Sequence, residues 1–177
     1  MKKRITALGL LWCLSAVMLQ AARVDTVLVR SVAMNKDVKV VYVLPDKAIG
    51  KQACPVVYLL HGYGGNARSW MQLKPELPQM ADEKGIIFVC PDGKNSWYWD
   101  SPENPAYRYE TFVTSELVKY TDGNYATIPD RKARAISGLS MGGHGALWSA
   151  IRHKDVFGAA GSMSGGVDIR PFPQNWE

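Results

Sequence analysis

Two apolar runs without a polar residue restrict the fold of this chain more than any other feature. Residues 55–60 read PVVYLL and residues 86–90 read IIFVC. A strand with one wet face alternates apolar and polar side chains; a strand covered on both faces does not. Between the two runs, Leu77, Met80, Ala81 and Lys84 fall at helical spacing and Gly85 is a stop signal. Pro75 and Pro78 confine that helix to its later part. A buried strand, a helix and a second buried strand make a parallel crossover, the unit of α/β architecture.

The rest of the chain continues the pattern. Residues 24–34 and 38–44 (VKVVYVL) read as two strands of a hairpin joined by Asn35-Lys36-Asp37. Residues 109–120 place Phe112, Val113, Leu117 and Tyr120 on one helical face, with Glu110 as a helix-end charge and Glu116 on a solvated face. Residues 133–137 form a fifth strand, 141–152 a helix and 157–163 a sixth strand. The expectation is one α/β domain over residues 23–177, with a mostly parallel sheet, helices on both faces and an N-terminal hairpin. Composition agrees: 47% apolar and 21% charged residues exclude a disordered tail or a disulfide-dense miniprotein. Trp70 and Trp148 are read as packing residues.

Residues 1–22 carry a different signal. Lys2-Lys3-Arg4 precede an apolar run over 5–19, with Gln20-Ala21-Ala22 offering a small-residue cleavage site. The run falls short of the roughly 20 residues a spanning helix needs, so a cleaved export signal is expected, with secretion or periplasmic residence and no membrane attachment afterwards. Without Lys2, Lys3 and Arg4 the 21 basic residues become 18 against 16 acidic, so the net charge drops from +5 to +2 and gives no argument for nucleic acid. Cys54 precedes one buried strand and Cys90 ends the next; about 17 Å of offset along parallel neighbours keeps them apart as free, buried thiols.

Chemistry concentrates in two loops. Gly138-Leu139-Ser140-Met141-Gly142 matches G-x-S-x-G between a strand and a helix. Small residues two before and two after the serine let the chain turn sharply and put its hydroxyl at the tip. Ser162-Met163-Ser164-Gly165-Gly166 echoes that motif, but Pro171 and Pro173 follow, so it reads as a strand end and a loop. His61-Gly62-Tyr63-Gly64-Gly65 follows the third strand, where backbone amides can face a developing oxyanion. The donors would be the amides of Tyr63 and Met141. His61 itself reads as a support for its loop. Trp97, Tyr98 and Trp99 form an aromatic cluster after the fourth strand. It reads either as a wall for an aromatic acyl group or sugar, built on Trp97 and Trp99, or as packing that anchors a long loop with Tyr107 and Tyr109.

HGYGG, CPDG (90–93), SWYWDSP (96–102) and GLSMGGHGAL (138–147) together resemble the esterase D and feruloyl-esterase-like branch of the α/β-hydrolases, over roughly residues 25–168. That resemblance implies Ser140 as nucleophile and Tyr63 and Met141 as oxyanion residues. It implies a small-molecule or polysaccharide-linked ester as substrate and neither metal nor cofactor. Asp92 and Asp100 lie in loops near the implied site without an assigned role. The branch also places a catalytic acid and histidine on loops after two further strands. His61, His144, His153 and Asp168 do not match those places, so the expectation is a chain that stops short of its triad, with His144 as a substitute base the alternative. An acyltransferase on the same scaffold, or a non-catalytic remnant or carbohydrate-binding module, are the rival readings. The DNA following the codon of Glu177 discriminates truncation.

Overall fold

The computed structural model describes residues 22–168 and residue 170. The export signal expected over residues 1–22 lies outside them except for Ala22, whose N–H donates to Asp82 Oδ2 at 2.7 Å. Among the described residues no helix is long and apolar enough to cross a membrane. Six strands form a single sheet: β1 (Arg23–Ser31), β2 (Lys36–Leu44), β3 (Val56–Leu60), β4 (Ile87–Pro91), β5 (Arg134–Leu139) and β6 (Ala159–Met163). Their order is β1-β2-β4-β3-β5-β6. The hairpin β1–β2 joins β4 antiparallel, and β4, β3, β5 and β6 run parallel.

Helices cover both faces. The turn α1 (Asp46–Ile49) follows the hairpin. On one face, α2 (Ser69–Leu73) and α3 (Leu77–Lys84) supply Trp70, Leu77 and Ala81 to a core with Val41, Val43, Leu59, Phe88 and Cys90. On the other, α4 (Tyr109–Thr111), the turn after it, α5 (Leu117–Asn124) and α6 (Met141–Arg152) supply Tyr109, Phe112, Leu117, Met141 and Ala146 against Val40, Tyr42, Tyr58, Leu60 and Val89. Residues 40, 42 and 44 of β2 thus face one layer and 41 and 43 the other, the period-two consequence of a strand buried on both sides.

Three local expectations change. The hairpin turn spans residues 32–35, with Asn35 left-handed at φ 50°, and Lys36 and Asp37 already pair in β2. Asn tolerates that conformation better than Lys or Asp would within a ladder. The helix expected over 109–120 runs to Asn124 and contains a π turn at Phe112–Glu116. Its two glutamates are not solvent charges. Glu116 accepts from Ser31 Oγ at 2.6 Å and Ala33 N–H at 2.8 Å, tying the hairpin to the helix. Glu110 is buried and accepts from Trp148 Nε1 (2.8 Å), Arg152 Nε (2.7 Å) and His153 Nε2 (2.8 Å), which fastens α4 to the end of α6. Burial pushes its carboxyl up, but these donors outweigh burial and hold it below the ordinary glutamate value.

Where β5 turns into α6, backbones meet backbones. A Cβ at Gly138 would collide with the Gly142 carbonyl, and one at Gly142 would collide with the Leu60 carbonyl and lie 2.7 Å from that of His61. Gly142→Ala should therefore cost at least about 2 kcal/mol of stability, because backbone cannot yield as a side chain can. A Cβ at Gly123 of α5 meets nothing. Gly123→Ala should be neutral or stabilising by up to about 1 kcal/mol, and urea melts of the two variants check the contrast.

Cys54 and Cys90 are both free and buried, and they belong to the cores on opposite faces of the sheet. Burial pushes the Cys90 thiol up to about 12 and raises that of Cys54. Both thiols should resist a disulfide-exchange reagent at pH 8 in the native protein and titrate after denaturation without reductant. A native Cys54–Cys90 disulfide in a peptide map would contradict the sheet described here.

Candidate active site

In an open parallel sheet a ligand crevice forms where chain connections leave neighbouring strands in opposite directions. Here that point lies between β3, which connects towards β4, and β5, which connects towards β6. Leu60 pairs with Gly138 at the carboxyl ends of these strands, so the loops that follow start side by side. A side chain at Gly62 would begin 3.6 Å from Ser140 Cβ and 3.4 Å from the Leu139 carbonyl oxygen. The two motifs read from the sequence therefore meet.

Ser140 sits at φ 54° and ψ −117°, a strained conformation for a residue with a Cβ. Two backbone bonds hold it: its N–H donates to Met163 O of β6 at 2.8 Å, and its carbonyl accepts from His144 N–H at 3.0 Å as α6 begins. Met141 opens α6 and is fully buried.

The loop after β3 is fixed by the His61 ring. Gly93 N–H donates to Nε2 at 2.9 Å, so the ring proton resides on Nδ1, which donates to Gly62 O at 2.7 Å. Gly65 N–H donates to the same carbonyl at 3.0 Å. In a trans peptide the C=O and the following N–H point opposite ways. Holding the Gly62 carbonyl on the His61 side thus turns the Tyr63 N–H away from that ring. Asn95 Oδ1 accepts from Gly64 N–H at 2.8 Å and braces the loop tip. The Tyr63 side chain is 61% exposed, so what this residue can offer the crevice floor is its backbone.

The aromatic cluster divides its labour. Trp97 and Trp99 lie edge-on to the His144 ring at 5.4 and 5.2 Å, and Trp148 stacks on it at 6.1 Å. Tyr98, between them in sequence, turns the other way and is fully buried. His144 turns to the loop after β6. Its Nδ1 donates to Gly166 O at 2.7 Å, which ties the loop after β6 to α6. His61 keeps to the supporting role read from the sequence. His153 closes α6 on Glu110. Asp100 accepts from the N–H of Thr111 at 3.0 Å and Asp92 from that of Lys94 at 3.0 Å, so both carboxylates organise loops. Asp168 is exposed and paired with Arg170.

Burial lowers the His144 pKa, and the bond to Gly166 opposes this only in part. A depressed histidine favours folding most when neutral. As pH falls below about 6.5, the unfolded chain takes up the proton first and stability declines until the folded pKa is passed. The melting temperature should therefore drop between pH 7 and pH 5, and His144→Gln should shrink that drop relative to the parent chain, as thermal melts across the range would record.

The geometry has close counterparts. A sequence profile of the family described as "Putative esterase" matches residues 31–176. The chain is 28% identical over 132 residues to an acetyl esterase of Caldicellulosiruptor saccharolyticus, a match covering 70% of this chain and 49% of that protein. It is 34% identical over 154 residues to the diacylglycerol acyltransferase/mycolyltransferase Ag85A of Mycobacterium leprae, covering 82% and 44%. A solved ferulic acid esterase superposes with a TM-score of 0.72 at 32% identity, covering 84% of this chain and 59% of that one. The chain thus spans half or less of the length of these curated relatives. Sheet order, elbow and sequence matches agree, and the chain belongs to this esterase family within the α/β-hydrolases.

Proposed function

We propose that this chain carries the nucleophile and the oxyanion donors of an exported serine carboxylesterase. The observation that supports this most is the meeting of the strained Ser140 with the Gly62–Tyr63 peptide at the β3–β5 crevice. On this reading Ser140 Oγ attacks the ester carbonyl carbon and its proton passes to a base. The carbonyl oxygen takes up the negative charge, and the N–H groups of Tyr63 and Met141 receive it. Collapse expels the alcohol, which leaves protonated, and water then hydrolyses the acyl-enzyme by the same steps. The start of α6 adds its positive dipole end where that charge develops.

Among the described residues, each histidine ring is engaged elsewhere: His61 with Gly62 and Gly93, His144 with Gly166, His153 with Glu110. On this reading the base for Ser140 lies outside the described residues. Export is supported by the charged start and apolar run of residues 2–19. Feruloyl or acetyl esters of plant polysaccharides are the substrates we favour, supported by the likeness to a ferulic acid esterase and an acetyl esterase and by the half-buried Trp97 and Trp99 on the loop after β4. The 34% identity to a mycolyltransferase supports a second outcome, in which an alcohol replaces water in the last step.

The test uses this chain and, where its reading frame continues past Glu177, the longer polypeptide. A fluorophosphonate probe should label Ser140 in whichever form turns over p-nitrophenyl acetate, and Ser140→Ala should remove both labelling and turnover with the melt unchanged. Residues 23–177 alone should be slow, because removing triad members leaves only about 10³–10⁴ over water. Labelling at Ser162 or Ser164 instead would defeat the assignment. Adding a sugar acceptor and analysing products separates hydrolysis from transfer.

A further inference from the structure

We infer that Tyr98 is a positioning residue for this site: its buried hydroxyl holds the His61 carbonyl and thereby fixes the loop that faces Ser140. What the loop does there rests on the esterase reading above; that Tyr98 holds it rests on contacts independent of that reading. The Tyr98 hydroxyl donates to His61 O at 3.2 Å, inside the protein, where water does not compete for either group. Burial raises the phenol well above its ordinary pKa, so the oxygen stays a donor at any working pH.

The ring is wedged between two glycines. A Cβ at Gly93 would collide with its Cε1 edge, and one at Gly145 would begin 2.6 Å from Cδ2. It also meets the His61 ring edge-on at 5.9 Å. Tyr98 therefore touches the loop after β3, the loop after β4 and the second turn of α6 with one side chain. Its neighbours explain how it gets there. Trp97 (φ 55°) and Tyr98 (φ 61°) are both left-handed, a strained state for consecutive residues with a Cβ. Tyr98 N–H bonds Ser96 Oγ at 3.0 Å and Trp99 N–H bonds Ser96 O at 3.1 Å, which locks the turn. The result sends Tyr98 inward while Trp97 and Trp99 lie together on His144.

From the His61 carbonyl the constraint passes along the chain. Gly142 presses on that carbonyl from the α6 side. The next carbonyl, of Gly62, is held by His61 Nδ1 and Gly65 N–H. Two successive peptide planes are then fixed, and the direction of the Tyr63 N–H follows. Tyr98 is the only side chain outside the His61–Gly65 segment that bonds the first of these planes among the described residues.

Tyr98→Phe tests this, since it keeps the ring and deletes the hydroxyl. Amide exchange is read by NMR on this chain. Gly65 and Gly93, whose N–H groups depend on the held geometry, should exchange about fivefold to tenfold faster, while amides of β3 keep their rates. Kinetics are read on whichever polypeptide turns over p-nitrophenyl acetate, where kcat should fall by about the same factor at unchanged KM. Unchanged exchange at Gly65 and Gly93, or an equal rise throughout β3, would overturn the positioning role. Loosened amides with kcat unchanged would overturn the link to the reaction. If no form turns over ester or takes the probe, the esterase reading fails by itself, and the exchange result still decides Tyr98.

Discussion

The close approach of Gly142 to the carbonyls of Leu60 and His61 is the constraint on which the site depends. Any side chain at that position would lift α6 off the end of β3. With none, the first turn of the helix lies directly beside the loop leaving β3, and Ser140, at the junction of β5 and α6, is pressed against Gly62. The left-handed serine is the geometric consequence. A chain that must leave a strand and enter a helix packed this tightly has no relaxed path, and strain of about 1–3 kcal/mol at one residue is tolerated because the sheet on one side and the helix on the other over-determine it. Its N–H is bound to β6 and its carbonyl begins the helix, so neither half of the residue is free to relax.

Around that contact the sheet supplies direction and the loops supply rigidity. The parallel strands bring the loops after β3, β4 and β5 to one edge. Three polar contacts then tie the loop after β4 to the loop after β3: Gly93 N–H to His61, the Tyr98 hydroxyl to the His61 carbonyl, Asn95 to Gly64 N–H. These bonds are short-range, and most lie where water is excluded, so losing one partner leaves a buried group unpaired at a cost of about 1–3 kcal/mol. Glu110 performs the same service at the far end of α6, gathering three donors from a helix that would otherwise end in solvent.

The features legible in the sequence were those with a local cause. Buried strands advertise themselves by unbroken apolar runs, which is why β3 and β4 were readable at the residue level, and the elbow is written in glycines that a tight turn cannot do without. The cysteines' separation followed from strand placement, although opposite faces of the sheet, rather than offset alone, keep them apart. What was hidden depends on partners distant in sequence. Glu110 and Glu116 look like helix-surface charges because their donors come from residues 148–153 and 31–33. Tyr98 read only as a member of the cluster between Trp97 and Trp99. Only the left-handed turn at residues 97–98 separates it from its neighbours, and nothing about Trp or Tyr announces positive φ. The glycines that admit its ring, Gly93 and Gly145, were the available signal, since each lies in a quoted motif and neither has a positive φ that calls for glycine.

The placement of the histidines bears on how such a scaffold handles protons. A general base for Ser140 must present an unprotonated nitrogen to the hydroxyl. His61 accepts a backbone amide at one nitrogen and donates to a backbone carbonyl from the other, so taking a proton would break the bond from Gly93 and release the loop it supports. His144 has its proton on the nitrogen facing Gly166, and its ring is enclosed by three indoles. Its other nitrogen, Nε2, is buried without a hydrogen-bond partner. Burial also lowers its basicity, which further disfavours the charged state a base must pass through. Both rings are thus built to keep one tautomer and one orientation. That is the behaviour a nucleophile's supporting frame needs: a change of protonation would cost His61 its bond from Gly93 and would put a charge on the buried His144 ring.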